Sequence, residues 1–244
     1  MNKDVILILG GDGKIAQAIV QKYLDNGSIV IAVDKKEKSS NSNFYNNSNY
    51  HYYYADITSV EQLFALREKI ENEFSQVNHV ISAAGAPRPD EEKGLFEMTF
   101  EDIDESIKLN LSAHIYITKI FLPLLQKSTS NNKSIVMVSS VNALKSFNLP
   151  AYSAAKSGIF GFMNSMVREL GKEQIRINTL SPGTVASHEE VAMKEKFWGY
   201  GYKDMMSLRR FTYPEDIADA MFSLTHITKA ITGQNIVVDS GQIV

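Results

Sequence analysis

Three stretches of the chain, Val5–Leu9 (VILIL), Ile29–Val33 (IVIAV) and Ile135–Val138 (IVMV), are apolar without interruption. A strand with one wet face alternates apolar and polar residues, so unbroken runs this short point to strands covered on both faces. They belong to a longer alternation. Strands are predicted at Val5–Leu9, Ile29–Val33, Tyr50–Ala55, His79–Ser82, Ser134–Ser139, Ile175–Leu180 and Asn235–Val238. Helices are predicted at Ile15–Tyr23, Ser59–Phe74, Phe100–Gln126, Ala151–Gly171 and from Pro214 to about His226. The Asn/Ser-rich stretch Ser39–Asn49 reads as a surface loop, and Ala186–Phe211 as irregular and rich in aromatics. Strands alternating with helices imply an α/β fold, a doubly wound parallel sheet of about seven strands with helices on both faces. With 244 residues, 44% of them hydrophobic, the chain has enough apolar mass for one full core. No repeat or linker divides it, so residues 1–244 are expected to form a single domain.

Charge and residue usage remove several classes of function. The net charge is −3 and no block of five lysines or arginines is present, which argues against a nucleic-acid partner. Zero cysteines exclude disulfides, thiolate metal sites and cysteine nucleophiles together. The first apolar run, Val5–Leu9, falls short of the roughly 7–15 residues of a secretory core, and none approaches the ~18 of a membrane span. A soluble, cytoplasmic protein with no membrane partner is expected. The five histidines (51, 79, 114, 188 and 226) are dispersed and fit no metal-ligand spacing, so no metal requirement is expected.

Between the first strand and first helix lies Gly10-Gly11-Asp12-Gly13-Lys14-Ile15-Ala16, which contains G-x-G-x-x-A. Glycines there permit a tight turn and a close approach of backbone to a pyrophosphate, and the helix N-terminus offers N–H groups to it. The same turn also serves simply to join a strand to a helix, so context decides. Asp34 ends the second strand 21 residues after Gly13, close to the ~20 expected of a carboxylate on the adenosine ribose. A carboxylate there repels a 2′-phosphate, favouring NAD(H) over NADP(H); Lys35 and Lys36 follow at once and soften that preference, so NADP(H) is not excluded. These features mark a Rossmann-type sheet.

Tyr152 and Lys156 lie one turn apart at the start of the helix after the fifth strand. An ammonium beside a phenol lowers its pKa from ~10 toward a catalytically useful value. With 11 tyrosines in 244 residues and lysine abundant, one such spacing arises by chance, so its position carries the argument. The preceding strand ends in Ser139-Ser140, at the carboxyl end where parallel sheets bind ligands.

Taken with these motifs, the whole chain resembles a classical short-chain dehydrogenase/reductase. Asp56-Ile57 stands where that family has its adenine-contacting Asp, and Ser82-Ala83-Ala84-Gly85 where it has N-N-A-G. Asn110 lies within SIKLNLS, Ser139-Ser140-Val141 matches S-S-x, and Ser181-Pro182-Gly183-Thr184-Val185 matches S-P-G-x-V. Pro214–Ala218, Ile231–Gln234 and Asp239–Gly241 resemble the C-terminal signatures. The resemblance implies a catalytic set of Asn110, Ser140, Tyr152 and Lys156. Tyr152 would exchange a proton with the substrate oxygen, Ser140 would orient that oxygen, Lys156 would hold the nicotinamide ribose, and Asn110 would hold a relay water. Cofactor contacts would come from Gly10, Gly11, Gly13, Lys14, Ile15, Asp34, Asp56, Ile57, Ala84, Gly85, Asn110, Tyr152, Lys156, Pro182, Gly183 and Val185.

Some positions depart from the family pattern. Leu9 replaces its threonine, Ser82 and Ala83 replace its two asparagines, and Ser140 precedes Tyr152 by 12 positions, one fewer than usual, which keeps Ser139 as an alternative. Substrate choice in the family is set by the segment after the sixth strand, here 186–211. It reads as a lid in which Phe197 and Trp198, with Ser140, Tyr152 and Arg88, would meet a small-molecule substrate. The Tyr152 helix carries small residues and the helix before it the apolar stripe Ile103, Ile107, Leu111 and Ile115; in the family those two helices pair across a dimer, so the resemblance implies a homodimer or homotetramer. The expected activity is NAD(H)-dependent interconversion of a secondary alcohol and a ketone. An NADP(H)-dependent β-ketoacyl-thioester reductase and a non-catalytic nucleotide-sensing or scaffolding protein stay open.

Overall fold

The computed structural model describes residues 3–37, 41–87, 94–145, 148–199 and 201–243. Its seven strands, β1 (Val5–Leu9), β2 (Ile29–Asp34), β3 (Tyr50–Tyr54), β4 (His79–Ser82), β5 (Lys133–Val138), β6 (Ile175–Pro182) and β7 (Asn235–Val238), form one sheet in the order 3-2-1-4-5-6-7. Every pairing is parallel. Alternate residues of β1 show why its run is unbroken. Val5, Leu7 and Leu9 enter a core beneath helices α2 (Val60–Phe74), α4 (Ala113–Gln126) and α5 (Pro150–Lys172), while Ile6 and Ile8 enter a second core beneath α1 (Lys14–Asp25) and α7 (Pro214–Phe222). Each face of the central strand is thus the floor of a separate hydrophobic layer. From β1 the chain winds out to β3, then returns to β4 on the other side, which opens a crevice at the carboxyl ends of β1 and β4.

Three elements differ from the sequence expectation. The long helix at 100–126 is α3 (Phe100–Ile107), one widened π-type turn at Lys108–Ser112, and α4. The last helix also ends in such a turn, Ser223–Ile227. The segment 186–211 is not wholly irregular: it contains α6 (Val191–Trp198) and a 3-10 turn, Tyr202–Met205. Helix α6 is eight residues long, has no side-chain cap, and scatters its apolar residues around its circumference, so no periodic signal announces it. Among the described residues, no helix is long and apolar enough to cross a membrane.

Candidate active site

The glycine turn leaves β1 with Gly10 at φ +82°, and the N–H groups of Gly10 and Gly11 both donate to the Val33 carbonyl of β2, at 2.8 and 2.9 Å. A Cβ on Gly10 would lie 2.6 Å from the Ala84 backbone after β4, and one on Gly11 would lie 2.9 Å from Ala32 Cβ. Gly13 is different. Its φ is −68°, and an added Cβ would meet only the Gly10 carbonyl, at 3.6 Å. The protein therefore does not itself require glycine at position 13, which faces the open crevice. A cleft of about 430 Å³ runs from here between Asp34, Asp56 and Ile57 on one wall and Ala84, Gly85 and Leu109 on the other. A second chamber of about 320 Å³ shares Gly13 and Gly85 and continues past Lys14 and Ile15 to Val185, Glu190 and Pro214.

Asp34 lines the first chamber while accepting the Asp12 N–H at 3.1 Å and the Lys36 N–H at 3.3 Å. Lys36 folds back, its Nζ 2.6 Å from Oδ2 of the buried Asp12. That pairing raises the lysine pKa and partly neutralises the cation. Asp56 caps the turn after β3, accepting from Thr58 N and Oγ1 at 2.8 Å each. At the far wall Gly183 follows Pro182 so closely against β7 that a Cβ would stand 2.6 Å from Asp239 Cβ.

Deeper, the widened turn carries Asn110 to a fully buried position, where its Nδ2 donates to the carbonyls of Ala86 and Ser106 at 3.1 Å each. Its Oδ1 is buried without a hydrogen-bond partner among the described residues. A Cβ on Gly85, which has φ +127°, would be 2.6 Å from that Oδ1 and 2.9 Å from Lys156 Nζ, so all three meet under the crevice. Lys156 is only 1% exposed, and burial pushes its pKa down to about 7. Its Nζ donates to the Val138 carbonyl at 2.9 Å and stands 5.7 Å from the centre of the Tyr152 ring. Of the two serines after β5, Ser139 gives its hydroxyl to the Lys156 carbonyl beneath α5, at 2.9 Å. Ser140 caps the short turn Val141–Ala143, with Oγ 3.0 Å from Asn142 Oδ1.

Two residues outside the sequence-predicted set join this cluster. His114 Nε2 lies 3.4 Å from Lys156 Nζ, and its Nδ1 lies 2.7 Å from Ser82 Oγ. Burial, with the Lys156 charge adding to it, holds the His114 pKa well below its usual range. A signal was present: His114 follows Asn110 by one helical turn, and Ser82 occupies a position where an asparagine was expected.

Of the predicted substrate residues, Ser140 and Tyr152 lie at this cluster and Phe197 does not. Phe197 is 81% exposed at the end of α6 and lines neither chamber. Five apolar residues of 186–211 instead form a small core of their own, Ala186, Met206 and Phe211 with Val191 and Tyr202 against it, while Met193, Met205 and Leu208 face solvent. Arg88 and the Trp198 side chain lie outside the described residues. The segment meets the cleft through Tyr202, whose hydroxyl is 3.2 Å from Thr184 Oγ1, and through Glu190, before α6, which pairs with Lys14 of the glycine turn; the Glu190 carboxyl is held at about 2 by that lysine and by the Ser187 N–H.

A doubly wound sheet with this glycine turn, a strand-end carboxylate and a buried lysine under the crevice defines a nucleotide-binding α/β protein. Residues 12–242 match the family model described as enoyl-(acyl carrier protein) reductase. The chain is 26% identical over 250 residues to the 7alpha-hydroxysteroid dehydrogenase of Bacteroides fragilis, covering 97% of this chain and 93% of that protein. It is 28% identical over 251 residues to the 3-oxoacyl-[acyl-carrier-protein] reductase FabG of Thermotoga maritima, covering 98% of each. The fold matches a short chain dehydrogenase of Leptospira borgpetersenii solved with bound NAD+, with TM-score 0.88 and 23% identity over 100% of this chain and 94% of that one. The chain belongs to the short-chain dehydrogenase/reductase family and is an oxidoreductase of that family, whose members use NAD(P).

Proposed function

We propose that the protein interconverts a secondary alcohol and a ketone with NAD(H), using Tyr152 as general acid–base. The observation that carries this reading is the buried Lys156 ammonium one turn from Tyr152, beside the orphaned Oδ1 of Asn110 and beneath a crevice that Gly13 leaves open. Bound in the cleft, NAD(H) would supply or accept hydride at nicotinamide C4. In the oxidative direction Tyr152, as phenolate, takes the hydroxyl proton as the carbinol C–H pair leaves as hydride, and the C=O bond forms. Lys156 stabilises that phenolate electrostatically. Ser140 orients the substrate oxygen; Ser139 is less suited because its hydroxyl is spent on the Lys156 carbonyl. The unpartnered Asn110 Oδ1 suits a relay water.

Asp34 supports NAD(H): it lines the cleft, and the Lys36 cation that would attract a 2′-phosphate is engaged by Asp12. Lys14 and Ile15 at the helix start suit the pyrophosphate, while Asp56 and Ile57 suit the adenine. Pro182, Gly183 and Val185 suit the nicotinamide. The deciding experiment titrates the protein with NADH and NADPH by nicotinamide fluorescence and repeats it with Tyr152→Phe. Tighter NADH binding is expected, and Tyr152→Phe should cut turnover by about 10²-fold or more with NADH affinity kept. Tighter NADPH binding would transfer the reading to a thioester reductase, and full turnover in Tyr152→Phe would overturn the mechanism.

The half-exposed stripe of Ile103, Ile107, Leu111 and Ile115, with Gly161 opening onto free space on α5, supports pairing of two copies. Gly158 has an intrachain reason instead, since its Cβ would strike Leu111 at 2.8 Å. Light scattering at micromolar concentration is expected to give a dimer or tetramer; a monomer mass would refute it.

A further inference from the structure

At the end of the sheet opposite the cleft, three side chains remote in sequence converge. Asp4 precedes β1, His79 opens β4, and His226 lies in the widened turn after α7. One ligand-capable atom from each lies within 4.8 Å of the other two. His226 Nε2 is 3.4 Å from Asp4 Oδ2, and two ligands about 2.0–2.1 Å from a tetrahedral ion stand about 3.3 Å apart. That pair is already at ligand spacing. Dispersal of the histidines along the chain, which predicted no metal, does not hold in space for these two.

His79 is the most informative member. Its ring is fully buried, Nδ1 is 2.8 Å from Ser134 Oγ, and Nε2 has no hydrogen-bond partner among the described residues. A buried ring nitrogen left unpaired is costly, and the cost ends when its lone pair finds a cation. His226 is prepared in the same way. Its Nδ1 lies 2.7 Å from Thr225 Oγ1, which is itself 3.1 Å from the Met221 carbonyl and 2.6 Å from the Tyr23 hydroxyl, and Nε2 faces Asp4. Each histidine is thus anchored through its far nitrogen by a hydroxyl, the arrangement that orients metal-binding imidazoles.

The nearby cations are Lys229 and Arg176. Arg176 is turned onto the carbonyls of Leu224, Thr225 and Ile231 and the side chain of Asn132. Asp4 and His226 keep 35% and 18% of their side-chain surface exposed, so an ion has a way in and a water has room to complete its shell.

We propose that Asp4, His79 and His226 form a zinc site that ties the starts of β1 and β4 to the C-terminal turn. Two imidazoles and one carboxylate suit zinc and its first-row neighbours, whereas magnesium and calcium favour all-oxygen shells. The ion would be structural, because the cleft opens at the other end of the sheet.

The test titrates untagged protein with Co2+ and follows visible absorption. Expected is an intense tetrahedral d–d band that saturates at about one equivalent and disappears when Zn2+ is added. Asp4→Asn and His226→Gln, at partly exposed positions, should both lack the band while binding NADH as the wild type does, which reports that they are folded. Zn2+ should raise the Tm of the wild type and leave that of either variant unchanged. Absorption no stronger than free Co2+, or a band that persists in both variants, overturns the site.

Discussion

On the cofactor side of the cleft, position is enforced by backbone and by buried groups. Gly10 and Gly11 are bonded to Val33, Gly85 is pressed onto Asn110 and Lys156, and Asp34 is held by two N–H donors. Across the cleft, segment 186–211 is anchored by the small core around Phe211, by the Lys14–Glu190 and Arg210–Asp216 ion pairs, and by the N–H groups of Ser207 and Leu208 on the carbonyls of Gly241 and Ser240, while Met193, Phe197 and Met205 face solvent. The first wall is fixed by buried backbone contacts, while the second leaves much of α6 in solvent. An enzyme has use for both, since hydride transfer needs fixed geometry and substrate entry needs a segment that opens at low cost.

The contrast is broken most severely at Lys156. Lys156→Met should lower turnover by about 10²-fold or more, because the phenolate loses its cation. The same change has a stability signature. Burial lowers the amine from its ordinary 10.5 to about 7. Between those values the unfolded chain holds more protons than the folded one, so wild-type stability rises with pH; below pH 7 the full penalty is present. The Tm of Lys156→Met relative to wild type should therefore be most favourable at pH 6 and decline toward pH 10. A difference independent of pH would show that burial does not depress this amine.

Next in size is a pair of substitutions within the glycine turn. Gly10→Ala forces a Cβ to 2.6 Å from the Ala84 backbone at a positive φ, so it should lower Tm and weaken NADH binding by about 10²-fold. Gly13→Ala meets nothing closer than 3.6 Å. It should leave Tm unchanged and weaken NADH binding by about tenfold, since its methyl group projects where a ligand would lie. Calorimetry with fluorescence titration separates the two effects. Equal Tm losses would mean that both glycines serve the fold alone.

Much of the first wall was legible because backbone requirements leave marks in sequence. Burial on both faces needs unbroken apolar runs, a positive φ beside another strand needs glycine, and the strand-end carboxylate Asp34 stands in the cleft wall at the position its spacing predicted. The spacing of His114 one turn after Asn110 marks it only as a neighbour; its partnership with Ser82 depends on a buried lysine arriving from α5, which that spacing does not encode. Phe197 shows the opposite failure. Its residue type promised a pocket wall, but type says nothing about which side of α6 faces solvent. Asp4, His79 and His226 lie on three separate elements, and only the sheet order reveals that strand starts β1 and β4 are neighbours.

The smallest expected effect falls where the two walls touch. Glu190 places a carboxylate against Lys14 at the entrance of the second chamber, whose other residues include Gly13 and Val185. Lys14 is 68% exposed at its side chain, so the pair is well screened and contributes little to stability. Its influence should instead be felt by a bound pyrophosphate, which competes with Glu190 for the same ammonium. Glu190→Gln removes the competitor and one negative charge, so NADH should bind a few-fold more tightly at low salt. Because exposed charges are screened within about 8–10 Å at ordinary ionic strength, that gain should fade in 0.5 M salt. Unchanged affinity at low salt would show that Lys14 does not meet the cofactor, leaving the ion pair as a tether for the lid and nothing more.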